Sequence, residues 1–570
     1  MRKFSLIALS AAIACAVLWA ADWPSQSGNP QRDGWAKTEK AFTKENAGKI
    51  EPLYKYKADN QVKGLQALGT PLINGMLITY LGFKEMLVFG GSGDNIYSVD
   101  ADLNRLIWKV HFDYKADKPQ AAPTSVCPGG MTAALAMAGS STAAGRGPTG
   151  AGRGRGAPGT PAVAARGPAA AAASAAAPGR DANPPLFAAG NFGRGANFAA
   201  VGGDGNLHAL NSSTGGDRSA PIPFVPANAK VSSLNVNDGV VYGATQDNCG
   251  GNANGLYALD LSTDDHKLSS VALNGGGAAG SGGTAIGADG TVYAQIPDGT
   301  GEMAGQYNDS VIAFSKDLKA KDYFTPSGTA QPVTKGIPTP GVTPVVFTWK
   351  GSDVIVSSGR DGRVYLLDSK SLGGADHHTP LSKTEPIASP DSKFSGNGFW
   401  GTFSSWEDAE NGNTRWIYAS LWGPAAGAAK FGVTNGAATN GSIVAFRVED
   451  HDGKPVLAPA WASRDMMAPA PVVTANGLVF ALSTGESARQ AKENGSLYSV
   501  SEKQKMAGRA VLYVLDGASG KELYSSGNLA STFSHGAGLA VANRRIYFTT
   551  HDNLVYSLGF LAEQPQLTGK

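Results

Sequence analysis

Several residues in this 570-residue chain have side chains that chemistry uses. The carboxylates Glu385, Asp391, Glu407 and Asp408 fall close together, and oxygen donors of this kind serve as a general base or as calcium ligands. His535 stands alone in "FSHGAG", where an imidazole is either a proton carrier or a buried hydrogen-bonding group. Trp400, in "GNGFWGTF", is either packing or a flat platform beneath a planar ligand. Their spacing selects no one chemistry. The doublet His377-His378 in "GGADHHTP" reads as a solvent-facing turn, and Arg360-Asp361 before Gly362 is explained by turn chemistry.

The cysteines say more. Arg2 and Lys3 precede an apolar run from Phe4 to Ala21, which reads as a secretory leader with small residues at Ala20 and Ala21 for cleavage. An uncleaved anchor is the lesser reading, and a lipoprotein cut at Cys15 fits worse because the apolar run continues beyond it. No later segment is apolar for long enough to span a bilayer. The chain is therefore expected in the periplasm or outside the cell. Removal of the leader leaves two thiols, Cys127 and Cys249, which form either one disulfide or two separate buried thiols. No CxxCH is present, so the chain carries no c-type haem of its own.

The elements that position these residues announce themselves by repetition. "NIYSVDADL" (95–103), "NLHALNSSTG" (206–215), "GLYALDLST" (255–263), "SVIAFSKDL" (310–318), "RVYLLDSKSLGG" (363–374), "SIVAFRVEDHDG" (442–453), "VLYVLDGASG" (511–520) and "NLVYSLG" (553–559) share one pattern. Around the third copy, strands are expected near 231–236, 240–244, 256–260 and 268–273, with Asn237-Asp238-Gly239 supplying a tight hairpin turn. A four-strand unit of about 40–50 residues at its shortest is the mark of a propeller blade. First strands share small, often proline-containing phrases such as "GTPLI" and "PAPVV", suited to the crowded centre. Fourth strands carry bulky residues where blades widen: Trp108, Phe224, Phe324, Trp461 and Tyr524. The last copy runs out of chain after three strands. "KIEPLYKYKAD" (49–59) supplies the missing outer strand and closes the ring. The expected fold is thus an all-β, eight-bladed propeller of four-stranded antiparallel blades, or seven-bladed if the irregular second copy is not a full blade.

The expected organisation is a leader over 1–21, a propeller over 22–560, an Ala/Gly/Pro/Arg-rich insert over 138–182 and a polar tail over 561–570. The insert lacks large apolar side chains and reads as a disordered loop. Its five arginines invite a nucleic-acid reading, but export and the lack of interleaved aromatics weigh against it. Without those five and the two leader bases, the formal net charge of +2 becomes −5. This insert and two long second-to-third-strand loops, 422–441 and 485–508, are expected on one rim. The channel mouth inside that rim is the expected binding face. Gln66, Cys127, Lys230, Trp400, Met467 and His535, near the starts of first strands, should surround it.

"GNLHALNSSTG", "GLYALDLST", "GRVYLLD" and "LYVLDGASGKELYSS" resemble the PQQ-like propeller repeats of quinoprotein alcohol dehydrogenases, and "DWPSQSGNPQRDGWA" (22–36) resembles their leading segment. In catalytic members, the resemblance implies PQQ over a tryptophan at the channel mouth, a calcium ion that polarises it, an aspartate base and a capping disulfide of adjacent cysteines. Here Cys127 stands alone in "SVCPGGM", so the cap departs from the pattern. Trp400 or Trp422 is the candidate floor; the calcium ligands and the base carry over to no defined position. Two function classes follow. The first is an exported propeller acting as a binding or assembly scaffold for an envelope or extracellular protein. The alternative is a PQQ- and calcium-dependent dehydrogenase that oxidises an alcohol or sugar and passes electrons to a separate carrier.

Overall fold

The computed structural model describes residues 21–79, 82–115, 117–137, 197–273, 275–298, 307–327, 337–389 and 396–561. The leader up to residue 20, the insert, Asp391 and the tail beyond Leu561 lie outside the described residues.

Among the described residues the strands form eight sheets, taken below in chain order. The first is a meander of Leu72–Thr79, Gly82–Gly91, Asn95–Asp100 and Arg105–His111. The third contains Val240–Gln246, Gly255–Asp260 and Leu268–Ala272, and its first strand is split into Lys230–Val231 and Asn235–Asn237. The sixth is the largest, because Gly341–Thr343 and Val433–Thr434 add parallel strands to its edges. The second is the slightest: its inner strand, Ala136–Met137, and its outer strand, Ile222–Pro223, have two residues each. In the closing sheet, Glu51–Lys57 lies antiparallel to Leu554–Gly559, with Lys57 opposite Leu554 and Glu51 opposite Gly559. The fold is an all-β propeller of mostly four-stranded antiparallel blades, shut by its amino-terminal strand.

Packing follows from the two-residue period of a strand. Val479 and Ala481 pack against the sixth sheet, while Phe480 and Leu482 join the core shared with the closing and first sheets. Because both faces of a central strand meet a neighbouring sheet, phrases such as "VLYVLD" are apolar almost throughout. The hydrophobic clusters join each sheet to the next around the ring, and one of them unites the seventh, closing and first sheets. Each fully buried large aliphatic side chain contributes about 2 kcal/mol.

The recurring glycine after the third strand has a specific partner. Trp108, on the fourth strand of the first sheet, donates its indole N–H to Ser212 O of the second sheet at 2.8 Å. Gly215 has φ +73°, and a Cβ there would stand 2.5 Å from the Trp108 ring. Trp461 repeats the device between the sixth and seventh sheets: Nε1 donates to Gly517 O at 2.9 Å and the ring lies on Gly520, at φ +70°. At these two interfaces the phrase lets a blade dock a bulky outer side chain onto the next blade's turn.

The segment from Ala21 to Ala36 forms a strap that runs round the inside of the ring at the end of the channel where first strands turn into second strands. Its backbone or side chains bond in succession to Asn543, Ile73, Met137, Ser233, Ser281, Val346, Ser405 and Thr474, one or more from every sheet. At its centre Arg32 is fully buried. The guanidinium donates to the carbonyls of Gln26, Ser233, Leu234, Gly282 and Thr284 at 2.7–3.2 Å. Burial pushes its pKa down to about 9, which leaves it charged at neutral pH.

Two expectations are corrected. The insert was expected at the mouth rim, but its flanks are Met137 and Asn197, which lie on paired first and second strands of the second sheet. A first-to-second-strand loop leaves at the opposite end, and Met137 N in fact donates to Pro24 O of the strap. His377 is not simply solvent-facing. Its ring stacks on Tyr323 at 4.1 Å and approaches Asp322 at 3.1 Å, while His378 Nδ1 meets Thr325 O at 2.9 Å.

Candidate functional site at the channel mouth

With the strap across one end, the other end holds a cavity of about 240 Å³. Gln26, from the strap, lies at its base and bonds to Ser281 Oγ at 2.5 Å. The starts of first strands converge here because the blades are narrowest at the centre, as their small residues predicted. Gln66, Lys230, Trp400 and His535 line the cavity as expected. Met467 is absent from the lining. Cys127 contributes through its neighbours Ser125 and Val126.

Trp400 and Trp422 stack on each other, with ring centroids 4.9 Å apart and planes inclined by 25°. Pairing of Gly398–Thr402 with the end of Thr414–Trp422 brings them together. Each indole N–H is already used: Trp400 donates to Gly396 O at 2.6 Å and Trp422 to Pro469 O at 3.0 Å. Both rings are half-buried, which leaves them as apolar faces rather than donors.

Beside them, His535 Nδ1 lies 2.5 Å from Glu486 Oε1, and the Glu486 side chain is only 7% exposed. Burial pushes the Glu486 carboxyl up, but His535, Lys503 and His551 outweigh it, and the group ends below the usual carboxylate range. Lys503 comes from the short helix Val500–Met506, which begins with a Ser499–Glu502 capping box. Its Nζ donates to Ser487 O and Arg489 O at 2.8 and 3.0 Å, and burial lowers its pKa despite the attraction of Glu486. His551 is fixed in a different way. Leu65 O can only accept, so Nδ1 carries the proton, and Nε2 accepts from the Gln504 amide at 2.9 Å. That tautomer is neutral, in keeping with a pKa lowered by burial.

On the other side, Lys230 Nζ pairs with Asp247 Oδ2 at 2.7 Å, and Asp298 accepts from Gly276 N at 2.7 Å. Burial raises the Asp298 pKa, with the Gly276 N–H and Arg360 opposing it. The carboxylates singled out in the sequence lie elsewhere: Glu385 and Glu407 pair with Arg363 and Arg415, and Asp408 caps its own turn. Glu486, Lys503, His551 and Asp247 were not singled out. The only signal for the first two was the excess length of the 485–508 loop.

Cys127 and Cys249 form a disulfide with Cα atoms 5.4 Å apart. It ties the loop after the first sheet to the 3₁₀ turn Cys249–Gly251 of the third. Cys249 Sγ lies 4.0 Å from Val126 O, so the bridge stands at the mouth wall.

A calcium ion needs six to eight oxygens, several of them carboxylate. The mouth carboxylates Asp247, Asp298 and Glu486 are each held by a separate donor, and among the described residues no three acidic, histidine or cysteine side chains gather to share a metal. This donor set does not fit calcium. The apolar indole surface and the ammonium groups of Lys230 and Lys503 suit a planar anionic group better than a metal ion.

No family model and no curated protein matches the chain. Solved structures do match its fold. The quinohemoprotein alcohol dehydrogenase ADHIIG of Pseudomonas putida HK5 gives a TM-score of 0.51 at 12% identity over 96% of this chain and 82% of that one. The Comamonas testosteroni quinohemoprotein alcohol dehydrogenase gives 0.50 at 11% identity over 96% and 82%. A europium-containing methanol dehydrogenase gives 0.50 at 12% identity over 90% and 86%. The likeness is one of fold: that of the quinoprotein dehydrogenase propellers. Among the described residues no helix is long and apolar enough to cross a membrane.

Proposed function

We propose that this propeller binds a planar anionic quinone of the PQQ type at its channel mouth and oxidises an alcohol or sugar there. The observation that carries the reading is the Glu486–His535 pair beside the stacked Trp400–Trp422 faces, at the end of the channel opposite the strap. Fold likeness to quinohemoprotein alcohol dehydrogenases supports it.

In this reading, an ionised Glu486 fixes His535 with its proton on Nδ1, so Nε2 is the nitrogen that takes the proton of a substrate hydroxyl. His551, locked as the neutral Nδ1 tautomer, stays out of that transfer. The outer surface of the stacked Trp400–Trp422 pair would lie against the quinone, and Lys230 and Lys503 would meet its negative charge. A bound PQQ supplies the two-electron acceptor. Onward electron transfer would fall to a separate carrier, because the sequence has no CxxCH for a haem. No step is assigned to calcium. We take the eight sheets as eight blades; the count is seven if the slight second sheet is left out. A compartment that permits disulfides, the periplasm or the exterior, suits the Cys127–Cys249 bridge.

A second reading, a binding or assembly scaffold for an envelope or extracellular protein, is favoured by one observation: each mouth carboxylate is already paired. The two separate in one experiment. The exported protein is titrated with PQQ, with and without calcium, following tryptophan fluorescence and then dye reduction with alcohols and sugars. Calcium-independent quenching with turnover, lost in His535→Ala, supports the enzyme. Absence of quenching sinks it and leaves the scaffold.

A further inference from the structure

Both backbone groups of Ala21 are held by one side chain. Its N–H donates to Asn543 Oδ1 at 2.6 Å, and Asn543 Nδ2 donates to Ala21 O at 2.9 Å. Asn543 can present both atoms because it sits at φ 53° in the turn between Ala540–Ala542 and Arg545–Thr549, a conformation asparagine tolerates better than most residues. From here the strap is committed: Asp22 Oδ1 accepts from Gly75 N at 2.8 Å, and Trp23 exchanges two backbone bonds with Ile73.

Acidic side chains flank Asn543 and its turn. The Glu85 side chain, 11% exposed, lies against Asn543. Its Oε1 is buried with no hydrogen-bond partner, and its Oε2 is 3.8 Å from Arg545 Nη1. Glu39 bonds to the same turn, accepting from Arg544 N at 2.7 Å. A buried acceptor without a donor is costly. A peptide N–H at Ala21 offers one hydrogen, which Asn543 takes. An α-ammonium offers three and a positive charge, enough for Asn543 and Glu85 together.

We propose that export processing hydrolyses the Ala20–Ala21 bond and that the new α-ammonium of Ala21 docks between Asn543 and Glu85, fastening the strap. The cut is made by a leader peptidase acting on the chain before the ring closes. Water adds across the peptide bond, leaving a carboxylate on Ala20 and the amine on Ala21. The alternative cut after Ala21 puts the bulky Trp19 three residues before the scissile bond, where the cut after Ala20 has the smaller Leu18, and it discards both Asn543 bonds. The inference rests on the leader and on this pocket, and it stands or falls independently of the mouth chemistry.

Mass spectrometry of the full chain after export tests it first: the mature protein should begin at Ala21. A start at Asp22 or later, or a retained leader, overturns it. Reductive methylation of the wild-type mature protein at neutral pH tests the docking. The α-amine should react at least threefold more slowly folded than in urea; a smaller difference overturns it. Asn543→Ala and Glu85→Gln should each restore the faster labelling while leaving the intrinsic fluorescence of the folded ring in place. Retained protection in both variants also counts against the docking.

Discussion

Arg32 gives the sharpest stability prediction. Replacement by Met removes the donor to five buried carbonyls. Three of them keep a second donor: Thr284 O has Asn235 Nδ2, Gly282 O has Thr284 N, and Gln26 O has the Ser25 hydroxyl at 3.4 Å. Two remain at stake. Hydrogen bonds to a charged group are worth about 1.5–3 kcal/mol each, while removal of a buried charge returns part of that. The net loss should be about 4 kcal/mol. Unfolding entropy scales with length, so a chain of this size loses roughly 1 °C per kcal/mol, and Arg32→Met should melt about 4 °C lower. Arg32→Lys keeps the charge and up to three donors, and should lose about half as much. Differential scanning fluorimetry of the three proteins decides it. A Met variant within about 1 °C of wild type, or a Lys variant no better than Met, refutes the hub.

Further predictions follow from the same structure. Cys249→Ser opens a loop whose ends are 122 residues apart, and chain entropy sets an upper bound of about 5 kcal/mol on the loss; unchanged denaturant stability would mean the bridge does not constrain the unfolded chain. Burial pushes the Asp309 pKa up to about 7, against the pull of Arg360 and its backbone N–H. The folded state then binds that proton more tightly, so its contribution is present below about pH 4 and lost as pH rises through 7, by at most about 4 kcal/mol. Asp309→Asn should therefore gain on wild type between pH 5 and 8 in urea unfolding, and a constant difference would contradict this. Gly520→Ala should cost a few kcal/mol, about 2–3, because its φ is positive and the new Cβ would lie 2.3 Å from the Trp461 ring. An equal melting temperature would show that the ring can shift freely.

Much of the ring could be read before any coordinates. The missing fourth strand of the last copy pointed to Glu51–Lys57 because an unpaired edge demands a partner, and the pairing register confirms it. Two remaining thiols permitted one bridge, and Cys127–Cys249 is that bridge. The reasoning failed where no period exists. Arg32 stands between Gln31 and Asp33 in a strap with neither a helical nor a strand pattern, so nothing in sequence marks it as buried. Glu486 and Lys503 meet His535 only because an irregular loop folds back, and loop geometry leaves no repeat to count. The flanks of the insert, Met137 and Asn197, fall at the strap end, which the sequence hid because Ala136–Met137 is too short to recognise as a first strand.

The strap also sets a timetable. Its first bond, from Ala21 to Asn543, spans 522 residues, and its last ones wait on blades made in the second half of synthesis. In the proposed export the chain would enter its compartment beginning with this segment. Arg32 meets its last acceptor, Thr284 O, about halfway along the chain, whereas Ala36 waits for Thr474 and Ala21 for Asn543. A chain that stops short of residue 543 lacks both bonds to Ala21 while the rest of the strap keeps its partners. The hold on the first strap residue therefore reports whether the last blade is in place.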